Sequence, residues 1–294
     1  MAQPLREEAL QGKVDLKWMG HAGFKIHFMD ADNKHRNIYI DIWADNKDCS
    51  PEDKKDCPND ADLCLITAGE TMCSFHAPFM IATGKKEDRK IVCTSETGLF
   101  ISSIRPIAPN FYGKMQPGGS KDFGYCKITM VHGEQAGIAQ KPDGRLIPGG
   151  NGVGYIIKIP HHNLTIYHSG ITSIFSDMKL ICDLYKPDIA IIAIGDDRGM
   201  SPSTAAYATK NFLTSPKTII PMYFSSLPCY KNGTVENFKK ACEEAGVTGK
   251  TILDPKDYNT GKAIIEWKDI PFENKIKILE NNIISLVRGF GVLG

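Results

Sequence analysis

The chain has 294 residues, and its 35 Lys and Arg balance 34 Asp and Glu to a net charge of +1. That balance argues against a nucleic-acid partner, which calls for a basic excess or stripe. Hydrophobic residues make up 42% and charged residues 23% of the chain, the profile of a globular protein. No apolar run reaches the length of a membrane span, and residues 1–10 lack the apolar core of a signal peptide. The nine Cys include no C-x-x-C pair and are odd in number. A disulfide framework is therefore disfavoured, and a reducing, cytoplasmic setting is expected.

In chain order, Val14–Trp18 and Phe24–Phe28 read as strands joined by a Gly-rich turn, and Asn37–Trp43 as a third strand after a polar hairpin. Residues 45–62, rich in Asp, read as a solvated surface loop. Leu63–Thr67 is a short strand, Cys73–Thr83 a helix, Ile91–Thr94 a strand and Gly98–Ile104 a short helix. Tyr125–His132, Gly154–Ile159 and Leu164–His168 are β-rich, with Pro160-His161-His162-Asn163 turning between the last two. The run 149–154 is Gly-rich but precedes a strand, so it reads as a flexible rim loop and not as a phosphate cradle. Ile174, Met178, Ile181, Cys182 and Tyr185 then fall on one helical face, with Thr172 or Ser173 as cap and Pro187 as stop. Asp188–Ile194 and Thr218–Met222 are buried strands, and Ser201–Leu213 and Val235–Ala245 are helices. This alternation implies α/β layering. Residues 273–288 carry an apolar stripe that predicts a helix docked on the body, with self-association as a minor alternative.

Several segments, in order, resemble the metallo-β-lactamase superfamily, and within it the ascorbate-6-phosphate-lactonase-like branch. They are Gly20-His21-Ala22-Gly23-Phe24, Ile40-Asp41, residues 60–67, Tyr167-His168-Ser169-Gly170 followed by Phe175–Ile181, Ile194-Gly195-Asp196, Met200-Ser201-Pro202 and Ile220-Pro221-Met222. Together they span about residues 14 to 255. The resemblance implies a four-layer αββα sandwich in one domain over 1–294, with 264–294 as a C-terminal helical extension. It also implies one or two metal ions that activate water for hydrolysis.

The implied ligand positions can be read one by one. Where the family places His at 68 and 70, Asp at 72 and His at 73, this chain has Ala68, Glu70, Met72 and Cys73. The later His is present as His132. The bridging Asp falls on Ile171 and the last His on Tyr223. Ala68, Met72 and Ile171 offer no ligand suited to zinc. The expectation is a protein without the family's dinuclear centre or any other cofactor, acting as a pseudoenzyme that binds a small molecule or a protein partner. The alternative is an active hydrolase, lactonase, lyase or isomerase. It would use the pocket without metal, or with one Zn or other divalent ion at Glu70, Cys73, His76 and His132. Pocket candidates are His21, Asp41, Glu70, Cys73, His76, His132, His168, Ile171, Asp196, Asp197 and Tyr223. A His and Asp pair with a Tyr could do acid–base work without metal.

Overall fold

The structure is a computed structural model that describes residues 14–49, 59–74, 76–140, 145–224, 227, 230, 232–256 and 265–266. The first sheet comprises β1 (Val14–Trp18), β2 (Phe24–Met29), β3 (His35–Ile40), β4 (Leu63–Leu65), β5 (Lys90–Cys93) and β6 (Tyr112–Lys114). The second comprises β7 (Ser120–Asp122), β8 (Lys127–Gln140), β9 (Leu146–Ile159), β10 (Leu164–His168), β11 (Ile189–Ala193), β12 (Thr218–Met222) and β13 (Thr251–Ile252). A last strand, β14 (Ile265–Glu266), pairs with β1 at the edge of the first sheet. Both sheets change character midway. β1 to β3 are antiparallel and β3 to β6 parallel. Likewise β7 to β10 are antiparallel and β10 to β13 parallel.

The helices are α1 (Thr71–Ser74), α2 (Ala77–Thr83), α3 (Ser95–Ile104), α4 (Asp177–Tyr185), α5 (Pro202–Asn211) and α6 (Val235–Ala245). Helices α4, α5 and α6 each join neighbouring parallel strands, the crossover that places a helix on a sheet face. The result is the mixed α/β sandwich expected from the sequence. Phe24, Ile26 and Phe28 of β2 are buried in alternation with half-buried Lys25, His27 and Met29, as for a strand with one face on the core. Residues of both sheets form one apolar cluster. Tyr155 ties them: its Oη lies 2.8 Å from Ile66 O and 3.0 Å from Val92 O, sharing one proton between two carbonyls of the opposite sheet. No helix among the described residues is long and apolar enough to cross a membrane.

Several expectations need correction. The helix over 73–83 is two helices, because Pro78 lies at the start of α2 and lacks the N–H to continue α1. β3 stops at Ile40 because Asp41 turns the chain with φ 46°. Helix α4 begins at Asp177, not Ile174. Thr172 is not its cap, because its hydroxyl accepts from Glu134 N at 2.8 Å. The loop 45–62 is not wholly solvated. Asp62 is buried and accepts from Asn37 N and Arg36, while Asp60 binds Tyr39 Oη and Lys25. The Gly-rich run 149–154 is not a loop but the middle of β9. It is glycine because two backbones meet there: a Cβ on Gly69 would lie 2.5 Å from Gly149 O. The helix expected over 273–288 lies outside the described residues.

Gly170 follows β10 with φ 66°, and a Cβ there would lie 2.3 Å from Val153 O. Gly170→Ala is therefore expected to destabilise the fold by about 2 kcal/mol or more, lowering the melting temperature by roughly 4–8 °C. Thermal unfolding followed by circular dichroism checks this, and an unchanged midpoint would contradict the packing described.

Candidate active-site cleft

In a sheet with parallel strands, ligands gather at the carboxyl ends. Here those ends carry unusual backbone. Asp41 follows β3, Asp196 follows β11 and Tyr223 follows β12, with φ of 46°, 73° and 58°. His21, in the turn between β1 and β2, has φ 56°. Left-handed non-glycine residues are uncommon, and a cluster of them points to a functional site. Two of these turns are joined: His21 O accepts from Tyr223 N at 2.8 Å and from Trp18 Nε1 at 3.1 Å.

The floor is built around Thr67. Its N–H donates to Asp41 Oδ1 at 2.8 Å and its hydroxyl donates to Asp41 Oδ2. Its carbonyl accepts from Val153 N of the second sheet at 2.8 Å. Asp41 is 1% exposed, and burial raises its carboxyl to about 7 against the opposing pull of Thr67. Nearby Glu70 adds to the rise. Burial also raises Glu70, while Arg198 and Gln135 oppose it. Gln135 Nε2 donates to Glu70 Oε1 at 2.9 Å. Burial pushes the Cys73 thiol well up, with Asp41 and Glu70 adding to it, so Cys73 stays a thiol at neutral pH. The same causes push the Tyr223 phenol up: burial first, then Tyr230, Glu70 and Cys73.

The buried histidines are neutral. Burial lowers His21 to about 3 and His168 to about 4. His168 Nε2 donates to Ala22 O at 3.2 Å and its Nδ1 accepts from Gly170 N at 3.2 Å. Both nitrogens are used, so His168 braces two turns. The His21 ring packs 4.5 Å from Tyr223, 5.1 Å from Trp43 and 6.2 Å from Tyr230, centroid to centroid.

The structure thus brings together Asp41, Glu70, Cys73, Tyr223 and His21, five of the eleven pocket candidates. It separates others. His76, at the break between α1 and α2, turns toward Asp45 Oδ2 at 3.6 Å. His132 is exposed, with Nε2 3.1 Å from Glu134 Oε2 and its ring edge-on to Phe175. Asp196 accepts from Asn232 Nδ2 at 3.2 Å, and Asp197 is exposed. Ile171 is buried in the core. Glu70, Cys73, His76 and His132 do not assemble. Among the described residues no three His, Cys, Asp or Glu side chains form a group that could hold a metal ion.

Sequence reasoning missed Thr67, Gln135 and Tyr230 as members of the site. Gln135 arrives through an irregularity in the β8–β9 ladder between His132 and Ala136, which frees residues 133–135 to reach across. Nothing in the local sequence marks that bulge.

This fold is the metallo-β-lactamase fold. Among solved structures it is similar to a novel metallo hydrolase from the hyperthermophilic archaeon Ignicoccus hospitalis, with a TM-score of 0.64, 22% identity and coverage of 87% of this chain and 98% of that one. It is also similar to a metallo-β-lactamase fold protein from Bacillus subtilis, at a TM-score of 0.57, 10% identity and coverage of 87% and 98%. No protein-family model matches the chain. Among curated proteins, a UPF0173 metal-dependent hydrolase from Koribacter versatilis is 35% identical over 240 residues, 80% of this chain and 94% of the relative. Another from Methanosarcina barkeri is 31% identical over 245 residues, 82% of this chain and 96% of the relative. The chain belongs to the UPF0173 metal-dependent hydrolase family.

The buried carboxyl has a pH signature. Asp41's folded value of about 7 lies above its ordinary 3.8, so the folded state holds the extra proton. The stability this contributes is fully present below pH 3.8 and is lost as pH rises through about 7. His21 and His168 act oppositely: lowered from 6.5 to about 3 and about 4, they contribute stability that is lost as pH falls below 6.5. Subtracting Asp41→Asn from the parent isolates the first effect. The variant is expected to gain on the order of 1–3 kcal/mol relative to the parent between pH 4 and pH 8. Urea unfolding across that range reads it, and a flat difference would refute a buried, raised Asp41.

Proposed function

We propose that this chain is a member of its hydrolase family that works without the family's dinuclear metal centre, by binding a small polar ligand in the retained cleft. One observation carries the reading. Ile171 falls where the resemblance puts the carboxylate shared by both metals, and it is packed in the core at 1% exposure.

The rest of the donor set agrees with this reading. Ala68 offers no ligand, Cys73 holds its proton, and both Asp41 oxygens are committed to Thr67. His132, the one family ligand kept, is paired with Glu134. The residues present do not fit a zinc-like centre, which needs three or four convergent ligands. Retention of His21, Asp41 and His168 in strained or fully bonded positions fits a cleft that is still shaped. Among the described residues Cys49, Cys64, Cys73, Cys93, Cys126, Cys182 and Cys242 are buried and in no disulfide, which fits a reducing compartment such as the cytoplasm.

A second reading is a metal-free hydrolase, lactonase, lyase or isomerase. It is favoured by Asp41 at about 7 beside a raised Glu70. Two neighbouring carboxyls whose surroundings favour their protonated forms are suited to acid–base exchange.

Elemental analysis of the purified chain is expected to find well under one equivalent of transition metal, and Ile171→Asp alone is expected to gain no metal-dependent hydrolysis of lactone or phosphodiester substrates. A stoichiometric metal, or robust turnover from that single change, would overturn the binding reading. Metal-free turnover abolished by Glu70→Gln would favour the second reading over the first.

A further inference from the structure

Two polar atoms at the site, Glu70 Oε2 and Gln135 Oε1, have no hydrogen-bond partner although solvent does not reach them, and the buried Tyr223 Oη, which interacts with Tyr230, keeps a lone pair able to accept. Buried polar groups are ordinarily paired, so each orphan asks for an explanation. Chance scatter is a poor one, because the atoms belong to one neighbourhood. Glu70 and Gln135 touch through the 2.9 Å bond between Oε1 and Nε2. Tyr223, with its side chain fully buried, lies within electrostatic reach of Glu70.

The bond that is made defines what is missing. Gln135 must present its amide N–H to Glu70, since the reverse orientation would set oxygen against carboxylate oxygen. Its carbonyl is therefore the free end. Glu70 Oε2 is likewise an acceptor. Both unpaired atoms call for donors, at least two of them, beside a group that carries negative charge when ionised.

The surroundings suit a cation. Asp41 is a second carboxyl within reach of Glu70. The rings of His21, Tyr223 and Tyr230 pack together beside it, with Tyr223 and Tyr230 4.9 Å apart, and aromatic faces attract cations. Arg198 acts on Glu70 only through space, from an exposed position.

We propose that the cleft seats a primary ammonium group of its ligand, with N–H donors directed to Glu70 Oε2 and Gln135 Oε1 and the third toward Tyr223 Oη. An organic ammonium then sits beside Glu70 and Tyr223, two positions where the resemblance implies metal ligands. This rests on the metal-free reading above. It adds the chemical class of the ligand: an amine, not a lactone or phosphodiester lacking one.

The test uses the full chain and four salts at matched ionic strength: ethylammonium chloride, tetramethylammonium chloride, sodium chloride and zinc chloride at protein-equivalent concentration with sodium chloride as balance. Melting temperature and calorimetric titration are the readouts. Ethylammonium is expected to stabilise the chain saturably and above the sodium baseline. Tetramethylammonium, which has no N–H donor, is expected to match sodium. Glu70→Gln is expected to weaken ethylammonium binding by at least about tenfold, and Gln135→Leu, which keeps the charge, to weaken it less. Asp32→Asn, at an exposed position in the β2–β3 turn, should leave it unchanged, and the ligand-free melting transition of each cleft variant shows that it folds. Equal responses to the three monovalent salts, or undiminished binding in Glu70→Gln, overturn the ammonium assignment alone. Stoichiometric zinc binding abolished by Glu70→Gln overturns the metal-free reading and this assignment with it.

Discussion

The cleft hangs on the grip of Thr67 on Asp41. Thr67 spends its N–H and its hydroxyl on one carboxylate from the end of β3, and its carbonyl on Val153 in the opposite sheet. One residue thus joins the two halves of the sandwich at the point where the strands open. A Cβ on Gly170 would crowd Thr67 as well as Val153. The loop after β4 is fixed by these bonds, and with it the placement of Glu70 and Cys73. Because the grip is dry, it also sets the chemistry: a carboxyl without solvent holds its proton to about pH 7.

The same economy of water explains the histidines. A buried imidazole that cannot be charged is a hydrogen-bonding strut. His168 uses both nitrogens to hold the turn at Ala22 and the turn at Gly170, and His21 lends its carbonyl to Trp18 and Tyr223. They keep the strand ends in register around the cleft. At Glu70 and Gln135 the internal bonding stops, with one oxygen of each left without a partner. The unpaired acceptors of Glu70 and Gln135, side by side, are where the proposed ligand would place its donors.

Much of this was legible in the sequence. Thr218–Met222 and Val235–Ala245 match their expected bounds, because a short apolar run and a capped amphipathic stripe are local signals. Gly246 ends α6 in the left-handed conformation as a glycine there should. Errors fell where distant chain intervened. The glycines of 149–154 suggested a loop, yet they lie in a strand whose neighbour across the interface is Gly69. The aspartates of 45–62 suggested solvation, yet Asp60 and Asp62 anchor the β2–β3 hairpin through Lys25, Arg36 and Tyr39.

The sequence by itself determined the fold class and the identity of the side chains at the expected ligand positions, Ala68, Glu70, Met72, Cys73, Ile171 and Tyr223. Both are carried by residue order and type, which need no coordinates. Only the tertiary structure decided which candidates meet. It gathered Asp41, Glu70, Cys73, Tyr223 and His21, and sent His76 to Asp45 and His132 to Glu134. It also recruited Gln135 through a bulge and Thr67 through a carboxylate 26 positions away. The reason is physical: side-chain convergence and desolvation are properties of how two sheets close on each other, and no local pattern encodes them.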